Sequence, residues 1–220
     1  MSKIKLFSGM DFSGKTTIIN GINEKMPSKF SIKKKFLTPI DLIENVRKRD
    51  TWLSLEEWKP LLQENIQKDI KEYKENGLIL LDSLWIIKYL AGKIEKNDKQ
   101  DEEEIIILKE LLKKYPEMDS FYITVSMNER IKRFQARAKS GNEITGSDKL
   151  IMDIDKFERR EQIYKKIVLE YFPNTKTIDT TDIDLEQTIN VIINDNNFLK
   201  DMWKDRRFWK YLSLKIFCLW

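Results

Sequence analysis

Ser8-Gly9-Met10-Asp11-Phe12-Ser13-Gly14-Lys15-Thr16 decides the reading of this 220-residue chain. From Gly9 onward it spells G-x-x-x-x-G-K-T, the phosphate-binding P-loop. The apolar stretch Lys3-Ile4-Lys5-Leu6-Phe7 before it reads as a strand. The stretch Thr16-Thr17-Ile18-Ile19-Asn20-Gly21-Ile22-Asn23 after it reads as a helix, which Pro27 terminates. That order is what the chemistry requires. Glycines at 9 and 14 let the backbone curl, so that N–H groups from Gly9 through Asp11, Phe12, Ser13 and Gly14 to Thr17 face a triphosphate. The helix N-terminus adds positive potential at the same place. Lys15 is placed to reach the β- and γ-phosphates and Thr16 to ligate Mg²⁺. The loop therefore marks a nucleoside triphosphate binder, with ATP and Mg²⁺ as the expected cofactors.

Composition narrows the setting. Hydrophobic residues make up 41% and charged residues 35% of the chain, which suits a soluble domain with a real core and a heavily charged surface. The 40 basic and 36 acidic residues leave a net charge of +4. A dedicated nucleic-acid binder needs a concentrated basic face, so no nucleic-acid partner is expected. The single cysteine, Cys218, excludes an intrachain disulfide and fits a reducing, cytoplasmic compartment. Neither a signal-peptide pattern nor a membrane-length apolar run is visible. Histidine is absent, which leaves carboxylates to carry any proton transfer.

Beyond the loop, short apolar runs alternate with helical periodicity. Strands are expected at 30–37, interrupted by Lys33-Lys34-Lys35, and at 78–81, 120–125 and 175–178. Helices are expected at 55–76, 84–94, 105–115, 129–139 and 150–171. Leu78-Ile79-Leu80-Leu81 is continuously apolar, as a central parallel strand buried on both faces should be. The alternation predicts an α/β fold with a central parallel five-stranded sheet flanked by helices, and ligands at the carboxyl ends of the strands. The charge-dense segment 93–104 reads as a solvated connection. The polar segment at about 138–150, with Gly141 and Gly146, is where a mobile lid is expected.

Several residues carry chemistry by position. Asp82 ends the 78–81 strand, and an acid there holds Mg²⁺; capping of the next helix by Asp82 or Ser83 is the competing role. Asp11, inside the loop, is a candidate acceptor contact or general base, with a purely structural turn role as the alternative. Arg133 and Arg137 share a face of the helix entering the lid, and Arg130, Arg159 and Arg160 lie nearby. Such guanidinium groups stabilise a transferring phosphoryl group. Trp58 and Gln63 are candidates for an acceptor pocket, Gln63 offering the paired donor and acceptor that a base edge requires. The competing role for the aromatic and leucine positions there is plain core.

Together these segments resemble the P-loop kinases of the thymidylate kinase and deoxynucleoside kinase group over most of residues 1–195. Gly9 to Thr17 resembles the thymidylate kinase loop, in which an internal acid contacts the acceptor sugar; the resemblance assigns that contact to Asp11. Asn76-Gly77-Leu78-Ile79-Leu80-Leu81-Asp82 resembles the family's glycine, apolar strand and terminal acid. The helix of Arg130, Arg133 and Arg137 resembles the one entering the lid, and Lys156-Phe157-Glu158-Arg159-Arg160 with Tyr164 the one leaving it. Thr177-Ile178-Asp179-Thr180-Thr181 resembles the last strand and the loop against the donor adenine, which places Thr180 in the cofactor site. Gln63, five residues after Trp58, resembles the base-reading pair of deoxynucleoside kinases.

The chain also departs from the family. Where thymidylate kinases carry Arg-Glu-Pro-Gly after the second strand it has Leu37-Thr38-Pro39-Ile40, and Ser83 follows Asp82 where arginine is usual. A further acceptor-phosphate arginine is replaced by Gln63. These losses weaken the case for a monophosphate acceptor, since a dianion needs fixed cationic partners. The resulting expectation is a phosphotransferase moving the γ-phosphoryl of ATP to a nucleotide or nucleoside. The alternatives are a kinase of another hydroxyl-bearing metabolite, or a non-catalytic nucleotide-binding switch or partner subunit. Residues 196–220 form an aromatic-rich extension expected to be helical. Packing on the chain's own core or in a homodimer is favoured there over contact with a membrane surface.

Overall fold

Strand β1 (Ile4–Ser8) lies at the centre of a five-stranded parallel sheet of order β2-β3-β1-β4-β5. The computed structural model describes residues 4–26, 30–34, 55–75, 78–141, 144 and 148–195. After β1 come α1 (Lys15–Lys25), β2 (Phe30–Lys34), α2 (Leu55–Glu75), β3 (Leu78–Asp82) and α3 (Trp85–Lys96). A short 3-10 turn (Lys99–Asp101) leads to α4 (Glu102–Leu112), β4 (Asp119–Thr124) and α5 (Met127–Lys139). A second 3-10 turn (Asp148–Met152) precedes α6 (Ile154–Tyr171), β5 (Lys176–Asp179) and α7 (Leu185–Ile193).

The alternation of side chains along each strand sorts the apolar residues into two layers. Ile4, Leu6, Ile79 and Leu81 face one side, where α2, α3, α4 and α6 supply Leu62, Ile66, Ile87, Leu90, Leu108, Phe157 and Val168. Phe7, Leu78, Leu80, Phe121 and Ile123 face the other, covered by Ile18, Ile19 and Ile22 of α1 and Ile189 and Ile192 of α7. Lys5 is the exception. Its side chain is buried in β1 and is neutralised by Asp119 at 2.5 Å, at the start of β4. Capping fixes the later helices: Ser126 accepts from the Glu129 N–H, Asp153 from that of Lys156, and Asp184 and Gln187 form a reciprocal capping box.

The expected fold is confirmed, with local corrections. Lys33 and Lys34 do not interrupt the second strand; they continue it, opposite Leu81 and Asp82. The segment 93–104 is not simply a solvated connection. Lys93 reaches Asp101 at 2.8 Å and Glu104 at 2.6 Å, and the Tyr89 hydroxyl donates to Glu104 at 2.6 Å. Burial works against the charge on Lys93, but the hydrogen bonds and Coulomb attraction of the two acids outweigh it and raise its pKa. Residues 35–54, the Trp58 side chain, residues 142–143 and 145–147 of the expected lid and the whole 196–220 extension lie outside the described residues.

Neighbouring strands β1 and β4 send their following connections in opposite directions across the sheet. A crevice opens at the carboxyl ends of such a strand pair. The P-loop lies there.

Candidate functional site

Backbone geometry shapes the P-loop before any side chain acts. Gly9 has φ +143°, and a Cβ placed on it would stand 2.3 Å from the Ile123 carbonyl oxygen of β4. No other residue fits that approach. Phe12 adopts φ 64°, which is uncommon outside glycine, and its ring packs edge-on against Phe134 of α5 at 5.6 Å. Gly14, at φ +92°, opens α1 with no side-chain cap.

Arg130 supports the loop from beneath. Its side chain is completely buried although it belongs to a helix rich in charge. Nη1 donates to the Asp11 carbonyl at 2.9 Å, Nε to the Val125 carbonyl at 3.2 Å, and Nη2 to Thr124 Oγ1 at 3.4 Å. Nη2 also pairs with Glu161 of α6, and the guanidinium lies over the Phe157 ring at 5.2 Å. Burial pulls the Arg130 pKa down and Glu161 opposes that pull. Arg130 is thus the arginine that the loop's geometry depends on, rather than a lid residue. Its spacing carried the signal: Met127, Arg130, Ile131 and Phe134 share the face of α5 that packs on the core.

Lys15, Thr16 and Asp82, all named from the sequence, meet at this loop. Lys15 Nζ donates to the Met10 carbonyl at 2.9 Å and Ser13 Oγ at 3.3 Å, so it lies along the concave side of the loop. Thr16 Oγ1 donates to Asp82 Oδ2 at 2.5 Å. Asp82 does not cap α3; the cap position is Leu84, with no side-chain hydrogen bond, and Ser83 instead bonds the Phe7 carbonyl. A hydroxyl and a carboxylate joined in this way fit a magnesium ion, which takes oxygen ligands and completes its shell with phosphate and water. Among the described residues no group of three or more acidic or cysteine ligands is gathered anywhere.

Two hollows flank the loop. One of ≈ 270 Å³ is lined by Ser13, Gly14, Thr17, Arg133, Thr180 and Leu185. Arg133 Nη1 donates there to the Phe12 carbonyl at 3.2 Å, while Glu129 holds Nε at 3.1 Å. Arg137 stands apart from the loop and faces Asp148 at 3.7 Å. On the other side is a cleft of ≈ 450 Å³ between the loop, α3 and α6, to which Asp11, Trp85, Lys88, Tyr89, Arg160 and Tyr164 contribute. Gln63 is not among the described residues lining it. The Tyr164 hydroxyl lies beneath the loop beside Ser8, Gly9 and Ser83, and burial pushes its pKa up to about 12.

The basic wall of this cleft was missed at the level of sequence. Trp85, Lys88, Tyr89, Gly92, Lys93 and Lys96 recur every three or four residues along α3, on one helix face. The available signal was a basic stripe on the helix directly after the strand ending in Asp82.

No protein-family model matches the chain, and no curated protein matches it in sequence. Solved structures do match its fold. A thymidylate kinase from Candida albicans superposes with a TM-score of 0.65 at 19% identity, covering 91% of this chain and 93% of its own. A deoxyadenosine kinase from M. mycoides, solved with bound dATP, gives 0.59 at 20% identity, covering 88% and 99%. A thymidylate kinase from Ehrlichia chaffeensis gives 0.52 at 19% identity, covering 87% and 97%.

Proposed function

We propose that the chain is an ATP-dependent phosphotransferase acting on a nucleotide or nucleoside. The observation that carries this reading is that the P-loop segment lines two separate hollows, Gly9, Asp11 and Lys15 contributing to one and Ser13, Gly14 and Thr17 to the other. A triphosphate hydrolase needs one ligand hollow; transfer between two bound molecules needs two, meeting at the phosphates. In this reading the smaller hollow takes the donor base against Thr180, and the loop N–H groups and Lys15 hold its phosphates. Thr16 and Asp82 would hold Mg²⁺, which when bound neutralises charge on the transferred group. Arg133, tied to the loop carbonyl of Phe12, stabilises the phosphoryl group in flight, and Arg137 joins it only if the lid moves. Asp11 and the larger cleft receive the acceptor. The fold shared with thymidylate and deoxyadenosine kinases supports the same assignment.

The test is ADP release with dTMP, other nucleoside monophosphates, nucleosides and no acceptor. Acceptor-dependent release that Lys15→Ala reduces by roughly 10²-fold or more is the expected outcome. Tight ATP binding with no stimulation by any acceptor would instead identify a nucleotide-dependent switch.

A further inference from the structure

The larger cleft holds more information about its occupant, on the premise of the kinase reading above. Its described lining contains five cations, Lys15, Lys88, Lys93, Lys96 and Arg160, and one acid, Asp11. Lys93 and Arg160 are balanced by Asp101, Glu104 and Glu95, none of which is part of the lining. Their charged ends are thus engaged by acids outside the lining, although both residues contribute to the wall of the cleft. Lys88 is arranged differently. Its Nζ donates to Asp11 Oδ2 at 2.6 Å, and both members of the pair belong to the lining, with side chains 25% and 17% exposed. Asp11 cannot follow Lys88 away from the loop, because its own carbonyl is held by Arg130 at 2.9 Å.

A neutral nucleoside entering this cleft would cover these cations and offer them only hydroxyls and base edges. It would also have to lose a proton from its hydroxyl, while the lone acid of the described lining is engaged with Lys88. A nucleoside monophosphate meets neither difficulty. Its phosphate is a dianion, and charge-assisted hydrogen bonds to ammonium and guanidinium groups are among the stronger polar contacts. One of its oxygens forms the new bond to the γ-phosphorus as the bond to the β-phosphate oxygen breaks, and the electron pair leaves on ADP. No base is needed for that step. A cation next to the loop would offset the repulsion between the two phosphates as they approach.

We propose that Lys88 is the specificity-determining residue of the cleft: on binding it exchanges the Asp11 carboxylate for the acceptor's phosphate, and so selects nucleoside monophosphates over nucleosides. The released Asp11 carboxylate then accepts from a sugar hydroxyl of the same acceptor. Lys88 thereby supplies the charge that the sequence lacks at Leu37–Ile40, Ser83 and Gln63.

The experiment uses the full chain as wild type, Lys88→Met and Lys88→Arg. ADP release is measured with the four 2′-deoxynucleoside 5′-monophosphates and with the matching nucleosides. Binding of the monophosphates and of ATP is measured separately by calorimetry. Wild type is expected to prefer monophosphates. Lys88→Met should raise their KM and Kd about tenfold or more, Lys88→Arg should restore part of the loss, and ATP affinity should report that the loop is intact. Equal use of nucleosides, or monophosphate binding indifferent to Lys88→Met, overturns the proposal and leaves the kinase reading standing. Monophosphate binding that depends on Lys88 with no ADP release from any acceptor overturns the kinase reading but keeps the phosphate-selecting site.

Discussion

Thr16 Oγ1 and Asp82 Oδ2 meet at 2.5 Å, joining the first turn of α1 to the end of β3. Strand β1, which leads into the loop and α1, pairs with β3, with Phe7 opposite Asp82, so the sheet brings the two segments together. Asp82→Asn keeps the shape and a hydrogen bond but removes the charge. Turnover should fall by about 10²-fold, with a higher Mg²⁺ concentration needed for half-maximal rate. Magnesium titration of ADP release is the measurement. An unchanged magnesium requirement would reduce Asp82 to a structural partner of Thr16.

Arg130, fully buried, and Glu161, partly exposed, form a strut between α5 and α6 that ends on the Asp11 carbonyl. Removing one member breaks a charge-assisted hydrogen bond, at a cost of about 1–3 kcal/mol, since Glu161 keeps some solvent contact and its bond from Tyr122. Arg130→Met and Glu161→Leu should each lower stability in denaturant titrations, and the double variant should lose less than the sum of the two. Among these variants Arg130→Met should also weaken ATP binding, because the loop then loses its support. Additive losses would show that the two side chains are not coupled.

Alkaline stability provides a third test. The Tyr164 pKa lies at about 12 in the fold against an ordinary value of 10.0, with burial as the main cause. A raised folded pKa contributes stability that is complete below about pH 10 and is lost as pH climbs toward about 12. The size of that contribution is on the order of 2–3 kcal/mol. Tyr164→Phe should therefore flatten the fall in melting temperature across this window. Tyr122 is likewise raised, by burial first and Glu161 next, and Lys93 by its acids, so the wild-type slope should remain partly visible in the variant. Identical slopes for the two proteins would place the Tyr164 hydroxyl in contact with water.

How much of the fold and the site is legible in the sequence depends on how far apart the cooperating residues lie. The P-loop is contiguous, and its strand, turn and helix announce themselves through Leu6-Phe7, Gly9, Gly14 and Ile18-Ile19. Asp82 is legible because an acid directly after four apolar residues marks the carboxyl end of a buried strand, where ligands gather. Thr180 is legible by resemblance, and it lines the hollow beside Gly14 and Arg133. Arg130 looks in the sequence like one arginine among several: spacing puts it on the face of α5 with Met127, Ile131 and Phe134, but not opposite Glu161, 31 positions away. Nothing in the sequence singles out Lys88. Its meaning depends on Asp11, 77 positions away, and lysine on a helix ordinarily marks a solvated face.

The two apolar layers of the sheet also divide the labour of the site. Besides the loop and Arg133, the smaller hollow, which the proposal gives to the donor, is built on α1 and α7, while the larger cleft, which it gives to the acceptor, is built on α3 and α6, across the sheet. Under the proposed function, substitutions on the cleft-lining face of α3 would therefore retune which molecule is phosphorylated without disturbing the layer on the other side of the sheet. In such an architecture, acceptor preference can diverge between related chains long before the phosphate cradle changes.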